Sequence, residues 1–167
     1  MKSKVLFFVL LASTFGMSDM NCPNIGTIAI GGSECPEGLS NPAVDRIDFR
    51  RVDGTLDMVR ITGVVENKGS GDFSSGEGQQ TIQLYEGVEL VAQQAFENLA
   101  AGATASISHT RTWETGNEFA PTYRVLIVYD PDIYIDANAD NDDCQPSDNA
   151  LARDGVEIDD LFTPTAN

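Results

Sequence analysis

The sequence predicts an all-β chain folded as an antiparallel sandwich of about seven strands. Three observations carry that expectation. Short β-prone runs recur at roughly 8- to 12-residue intervals between turn signals, and no stretch has the period of a long helix. Tyr123 to Tyr129 is apolar on both faces, as a central strand is. The elements follow in order. Val44 to Val52 alternates through Val44, Ile47 and Phe49, and Asp53-Gly54 turns the chain. Leu56 to Glu66 sets Val59, Ile61, Gly63 and Val65 on one face, with Met58, Arg60, Thr62, Val64 and Glu66 on the other. Asn67 to Gln79 reads as a flexible loop. Thr81 to Tyr85 and Val88 to Ala95 flank a turn at Glu86-Gly87, and Asn98 to Gly102 turns again. Ala103 to Trp113 alternates. After Tyr123 to Tyr129, Asp130-Pro131 ends the strand, and Asn149 to Ile158 supplies the last one.

Seven strands in this arrangement favour an immunoglobulin-like sandwich over a small barrel, although the Cys, Trp and Cys of antibody domains are absent. The motifs also come in a telling order. ENKGSG at Glu66 to Gly71 precedes TIQLYEG at Thr81 to Gly87 and LAAGATASIS at Leu99 to Ser108. YRVLIVYDPD at Tyr123 to Asp132 and DANADND at Asp136 to Asp142 follow. Over about residues 43 to 160 this resembles CARDB, the cell-adhesion-related domain found in bacteria, an Ig-like extracellular module. The chain departs from that family's pattern in its Asp-rich late loop, in Cys144 and in a longer approach to the final strand. The resemblance implies surface binding or adhesion and brings no catalytic residues with it.

The 167 residues suffice for one domain of ordinary size. Residues 1–18 read as a secretory signal peptide: Lys2 and Lys4 precede an apolar run from Val5 too short to span a bilayer comfortably. Ser-Asp-Met-Asn before Cys22 does not fit a lipid-attachment site. Residues 19–42 form a leader rich in Gly, Pro, Asn and Ser, with an apolar stretch from Ile25 to Ile30. The sandwich follows over 43–160 and a tail over 161–167. No second hydrophobic stretch follows the signal, so the expected product is secreted, extracellular or periplasmic, without membrane insertion. Ten basic residues against 26 acidic ones give a net charge of -16, which argues against nucleic-acid binding.

The densest feature is Asp130 to Asp148, with seven Asp and no Lys or Arg. Asp136, Asn138, Asp140 and Asp142 place oxygen side chains at alternate positions, half of a calcium loop, with Asp130 and Asp132 able to assist. The sixth position holds Asn141 in place of Gly and the twelfth holds Ser147 in place of Glu. Calcium is therefore one reading of these six residues, and a solvated acidic loop is the other.

In an Ig-like sandwich the N-terminal end lies beside the loops after the second and sixth strands. That places Asp72 and Glu77 near the acidic loop and Cys35 within reach of Cys144. The favoured disulfide is Cys35–Cys144, and a local Cys22–Cys35 bond is the alternative. His109 lies on a strand beside Thr110 and Arg111, where a sheet-rim role is expected rather than general-base catalysis. Trp113, near Arg111, is expected to cover the edge of the core. No nucleophile motif accompanies these residues, and no enzymatic activity is expected.

The sequence thus supports a secreted, non-enzymatic binding or adhesion module for a protein or cell-surface ligand. The alternative is a structural subunit of a filament or matrix. It would self-associate by adding strands from Asn24 to Ile30 and from Val156 to Phe162 to its neighbours.

Overall fold

The computed structural model describes residues 35–116 and 118–163. The expected signal peptide, Cys22 and the apolar stretch of the leader lie outside the described residues. Strand β1 spans Pro42–Arg51, β2 Met58–Asn67, β3 Phe73–Ser74, β4 Gln80–Glu86, β5 Glu89–Ala95, β6 Asn98–Leu99, β7 Thr104–Thr112, β8 Thr122–Tyr129 and β9 Ala150–Asp154. One sheet has the order β1-β2-β7 and the other β5-β4-β8-β9, while β3 and β6 pair as a small third sheet. Every pairing is antiparallel. The seven longer strands thus form the three-plus-four arrangement of an immunoglobulin-like sandwich.

The alternation read from the sequence accounts for the layers. Val59, Ile61 and Val65 of β2 are buried with Ile82 and Leu84 of β4 and with Tyr123 and Val125 of β8. Phe49 meets the Tyr123 ring edge-on at 5.4 Å, a geometry aromatic pairs prefer. Gly63 is needed where the two sheets meet, because a Cβ there would lie 2.5 Å from a Val125 methyl.

The register of β1 on β2 shifts between Val44 and Arg46, so Asp45 sits at a bulge. Its carboxylate accepts from Arg46 at 2.6 Å and pairs with the Lys68 Nζ at 3.1 Å. Hydrogen bonds from Lys68 and then Arg46 hold the Asp45 carboxyl below its ordinary value. A depressed folded-state pKa contributes stability above the unfolded value, and that contribution disappears as pH falls through the folded one. Asp45→Asn is therefore expected to flatten the acid side of the stability curve below pH 4 slightly. Melting in paired pH 3 and pH 6 buffers checks this.

The chain after β8 departs from expectation. The last strand does not run to Ile158 but stops at Asp154, and Gly155–Leu161 forms a 3-10 helix. Asp154 caps this helix by accepting from the Val156 N–H at 3.0 Å. A Cβ at Gly155 would lie 2.4 Å from the Pro121 carbonyl oxygen, so the chain can break direction there only with glycine. Ile158 is fully buried, and Asp159 accepts from the Trp113 indole at 2.7 Å. The segment Val156 to Phe162 is thus a cap over one end of the core, with Trp113 beneath it, and not a strand offered to a neighbour. No helix among the described residues is long and apolar enough to cross a membrane.

Candidate functional site

At the opposite end from Trp113, the leader meets the loops after β2 and β8. Cys35 and Cys144 form a disulfide with a Cα separation of 5.6 Å. Asn67, at the end of β2, is fully buried and clamps the same region. Its Oδ1 accepts from the Asn41 N–H at 2.9 Å and the Gly69 N–H at 3.1 Å. Its Nδ2 donates to the carbonyls of Gly71 and Leu99, each at 2.8 Å. The leader backbone then lies so close to residues 69–71 that side chains are excluded. A Cβ at Gly69 would sit 2.3 Å from the Leu39 oxygen, and one at Gly71 would sit 2.2 Å from the Gly38 oxygen. The Asn-Lys-Gly at 67–69 and the later Gly71 are therefore the means by which a loop accepts a second chain segment.

The six sequence-predicted calcium residues do not gather around one point. Asp136 is engaged on both oxygens by N–H donors: the Asn138 N–H at 2.8 Å, the Asn141 amide at 2.7 Å and the Gln79 amide at 3.0 Å. These bonds, that from Asn141 foremost, hold its pKa below the ordinary value. Asn138 accepts from the Asp140 N–H at 3.2 Å and donates to the Ser74 carbonyl at 3.0 Å. Asp130 and Asp132 face each other, and the hydrogen bond and charge of Asp130 raise the Asp132 pKa. Asp142 contributes its backbone oxygen to the Ser40 hydroxyl at 2.9 Å. The alternating spacing thus builds turns that bond the backbone locally. A cation would have to displace N–H donors already pointed at Asp136. Among the described residues no three His, Cys, Asp or Glu side chains group as a metal site.

Buried oxygens without a hydrogen-bond partner lie nearby and carry no spacing signal. Asp143 is buried and accepts from the Gln145 N–H at 2.9 Å and the Asn149 amide at 2.6 Å. Burial raises its pKa, and Asp148 adds repulsion. Asn41 donates to Asp148 Oδ2 at 3.1 Å. That leaves Asn41 Oδ1, Asp148 Oδ1 and Asn149 Oδ1 buried without a hydrogen-bond partner among the protein groups. Asn41 and Asp148 share the wall of a groove of about 460 Å³ with Cys35, Lys68 and Gly69. Buried acceptors are normally satisfied, by water or an ion where protein does not reach. The loop after β2 does approach the acidic loop, but through Ser74 and Gln79 rather than through Asp72 and Glu77. Asp72 instead accepts from the Ala101 N–H at 2.9 Å.

His109 is half-buried on β7 opposite Ile61 of β2. Trp113 is buried, with the Arg111 guanidinium 5.6 Å from its ring centre. Arg111 itself pairs with Glu86.

Fold and site together define an immunoglobulin-like sandwich whose leader is bonded covalently to its late loop. No family model matches the chain. No curated protein matches it either. Solved structures do resemble it. A domain assigned to a cell surface protein of Methanosarcina acetivorans is 19% identical, covering 70% of this chain and 90% of its own, with a TM-score of 0.47. A Pyrococcus furiosus CARDB domain, crystallised in complex with di-metal ions, is 15% identical, covering 73% of this chain and 91% of its own, with a TM-score of 0.48. The second carries the name of the family that the motif order from Glu66 to Asp142 resembles.

Proposed function

We propose that this chain is an extracellular, non-enzymatic binding module of the adhesion-related type, engaging a protein or cell-surface ligand. The observation that supports it best is the loop end. A disulfide closing a sequence separation of 109 residues, the Asn67 clamp and the glycine-lined crossing of the leader order surface loops that would otherwise move. Ordered loops on a sandwich are a common way to present a binding surface, and a stable disulfide fits an oxidising compartment. The test is retention on envelope material isolated from the producing cells. Saturable retention, competed by unlabelled chain and lost on reduction of Cys35–Cys144, is expected. Retention that is absent or does not saturate contradicts the reading.

Calcium belongs to this proposal as a stabiliser of the loop end. The support is the set of partnerless oxygens of Asn41, Asp148 and Asn149 beside Asp143. Extracellular modules bind calcium at about 10⁻⁴–10⁻³ M. Millimolar calcium is therefore expected to add about 0.4–1.4 kcal/mol, a rise of a few degrees in Tm over EGTA. Asp148→Asn should abolish the rise, and Asp136→Asn with Asp140→Asn should leave it. The opposite pattern would return the site to the alternating residues, and no rise in the unaltered chain would remove calcium.

A further inference from the structure

The outer face of the β1-β2-β7 sheet carries a charge pattern opposite to that of the chain. Arg50 of β1 and Arg60 of β2 are direct cross-strand partners, and both are exposed. Like charges directly opposite destabilise a sheet. The acid beside them on this face, Asp48, is taken by Arg46 at 3.1 Å, and neither arginine makes an ion pair or hydrogen bond among the described residues. The other arginines are engaged. Arg46 pairs with Asp45 and Asp48, and Arg153 pairs with Glu157. Arg111 pairs with Glu86, and Arg51 reaches the carbonyls of Thr55 and Leu56. Arg124 lies over the Tyr85 ring.

The two unpaired guanidiniums line two adjoining shallow grooves. One, of about 310 Å³, continues across the sheet between Arg46, Thr62, Thr104 and Ser106, with Asp48, held by Arg46, on its wall. The other, of about 320 Å³, runs toward Arg51 and Asp53 at the strand ends. We infer that this face binds a carboxylate-bearing polysaccharide, with Arg50 and Arg60 gripping its carboxylates and the Thr and Ser hydroxyls meeting its hydroxyl groups. Two guanidinium forks on neighbouring strands suit planar carboxylates. Screening over about 8 Å at physiological salt separates this patch from the acidic loop end. A glycan fits better than an acidic protein surface, because protein interfaces are built on an apolar centre. The one aliphatic side chain at the middle of this face, Val64, is 5% exposed.

This inference rests on the binding-module reading and names its ligand class. The test is titration of the full chain with oligogalacturonate, using neutral dextran oligomers and polyglutamate as comparisons. Binding to oligogalacturonate is expected to weaken with added salt and to exceed that to either comparison. Arg50→Glu and Arg60→Glu should each reduce affinity at least about tenfold. Each should also raise Tm slightly, because a cross-strand ion pair replaces a like-charge pair, which separates lost binding from lost folding. Three results would overturn the inference: no binding to oligogalacturonate, affinity unchanged in both variants, or polyglutamate bound as tightly. If envelope retention survives in Arg50→Glu, the module reading stands without this face.

Discussion

Replacing Cys35 and Cys144 together by serine is expected to destabilise the chain by about 4–5 kcal/mol, the largest effect of any change considered. The bond spans 109 residues, and a cross-link over so long a loop removes much entropy from the unfolded chain. Calorimetry should show a fall in Tm on the order of 10–20 °C. The native contacts set a floor beneath the loss. The leader remains bonded through Leu39 O to the Gly71 N–H at 3.0 Å, Asn41 O to the Lys68 N–H at 2.8 Å and Ser40 O to the Cys144 N–H at 3.2 Å. The double variant is therefore expected to fold, with residues 35–41 exchanging their amide hydrogens faster than the strands. A fall of only a degree or two would mean that these hydrogen bonds alone dock the leader.

The second large effect is expected at Asn67. Asn67→Ala removes four side-chain hydrogen bonds at a fully buried position. It strands the Asn41 N–H together with the Gly71 and Leu99 carbonyls. Each buried group left without a partner costs about 1–3 kcal/mol, and water entering the space recovers part of this, so a loss of about 3 kcal/mol is expected from denaturant titration. Asn67→Asp provides a control of nearly the same shape. It keeps the acceptor for Asn41 and Gly69 but cannot donate to Gly71 and Leu99, and it buries a charge. It should also be strongly destabilising. If both variants melt with the unaltered chain, the clamp is not what joins leader to sandwich.

The strands were legible because each had one face to bury. Val59, Ile61 and Val65 alternate with polar neighbours on β2, and Tyr123 to Tyr129 is apolar on both faces but for Arg124. Turn chemistry supplied the boundaries, as at Gly54 and Gly87, both of which adopt positive φ. Alternation carries the expected last strand too far, because Val156 and Ile158 continue the spacing of Ala150 to Asp154. Only the fold shows that Gly155 abuts the Pro121 carbonyl and that Asp154 caps a 3-10 turn. The short pair β3 and β6 went unseen for a similar reason: two-residue strands have no period.

The loop end was legible in outline and not in detail. Its acidity and the approach of Cys35 to Cys144 follow from composition and from the order of strands in a sandwich. The four alternating residues, Asp136, Asn138, Asp140 and Asp142, look like ligands because short polar side chains at every second position also make Asx turns. Sequence spacing does not separate the two uses. Asn41 and Asp148 are 107 residues apart and meet only in three dimensions. The charge average hid the arginine face in the same way, because Arg50 and Arg60 become partners only through the β1–β2 register.

An extracellular sandwich closed by one long-range disulfide is the proposal to test. Its most direct test is non-reducing peptide mapping by mass spectrometry of the natively expressed protein, with free thiols blocked at harvest. The expected result is protein recovered outside the cytoplasm in which the Cys35 and Cys144 peptides are joined. Recovery of the protein inside the cell with both thiols blocked as free cysteines would contradict it.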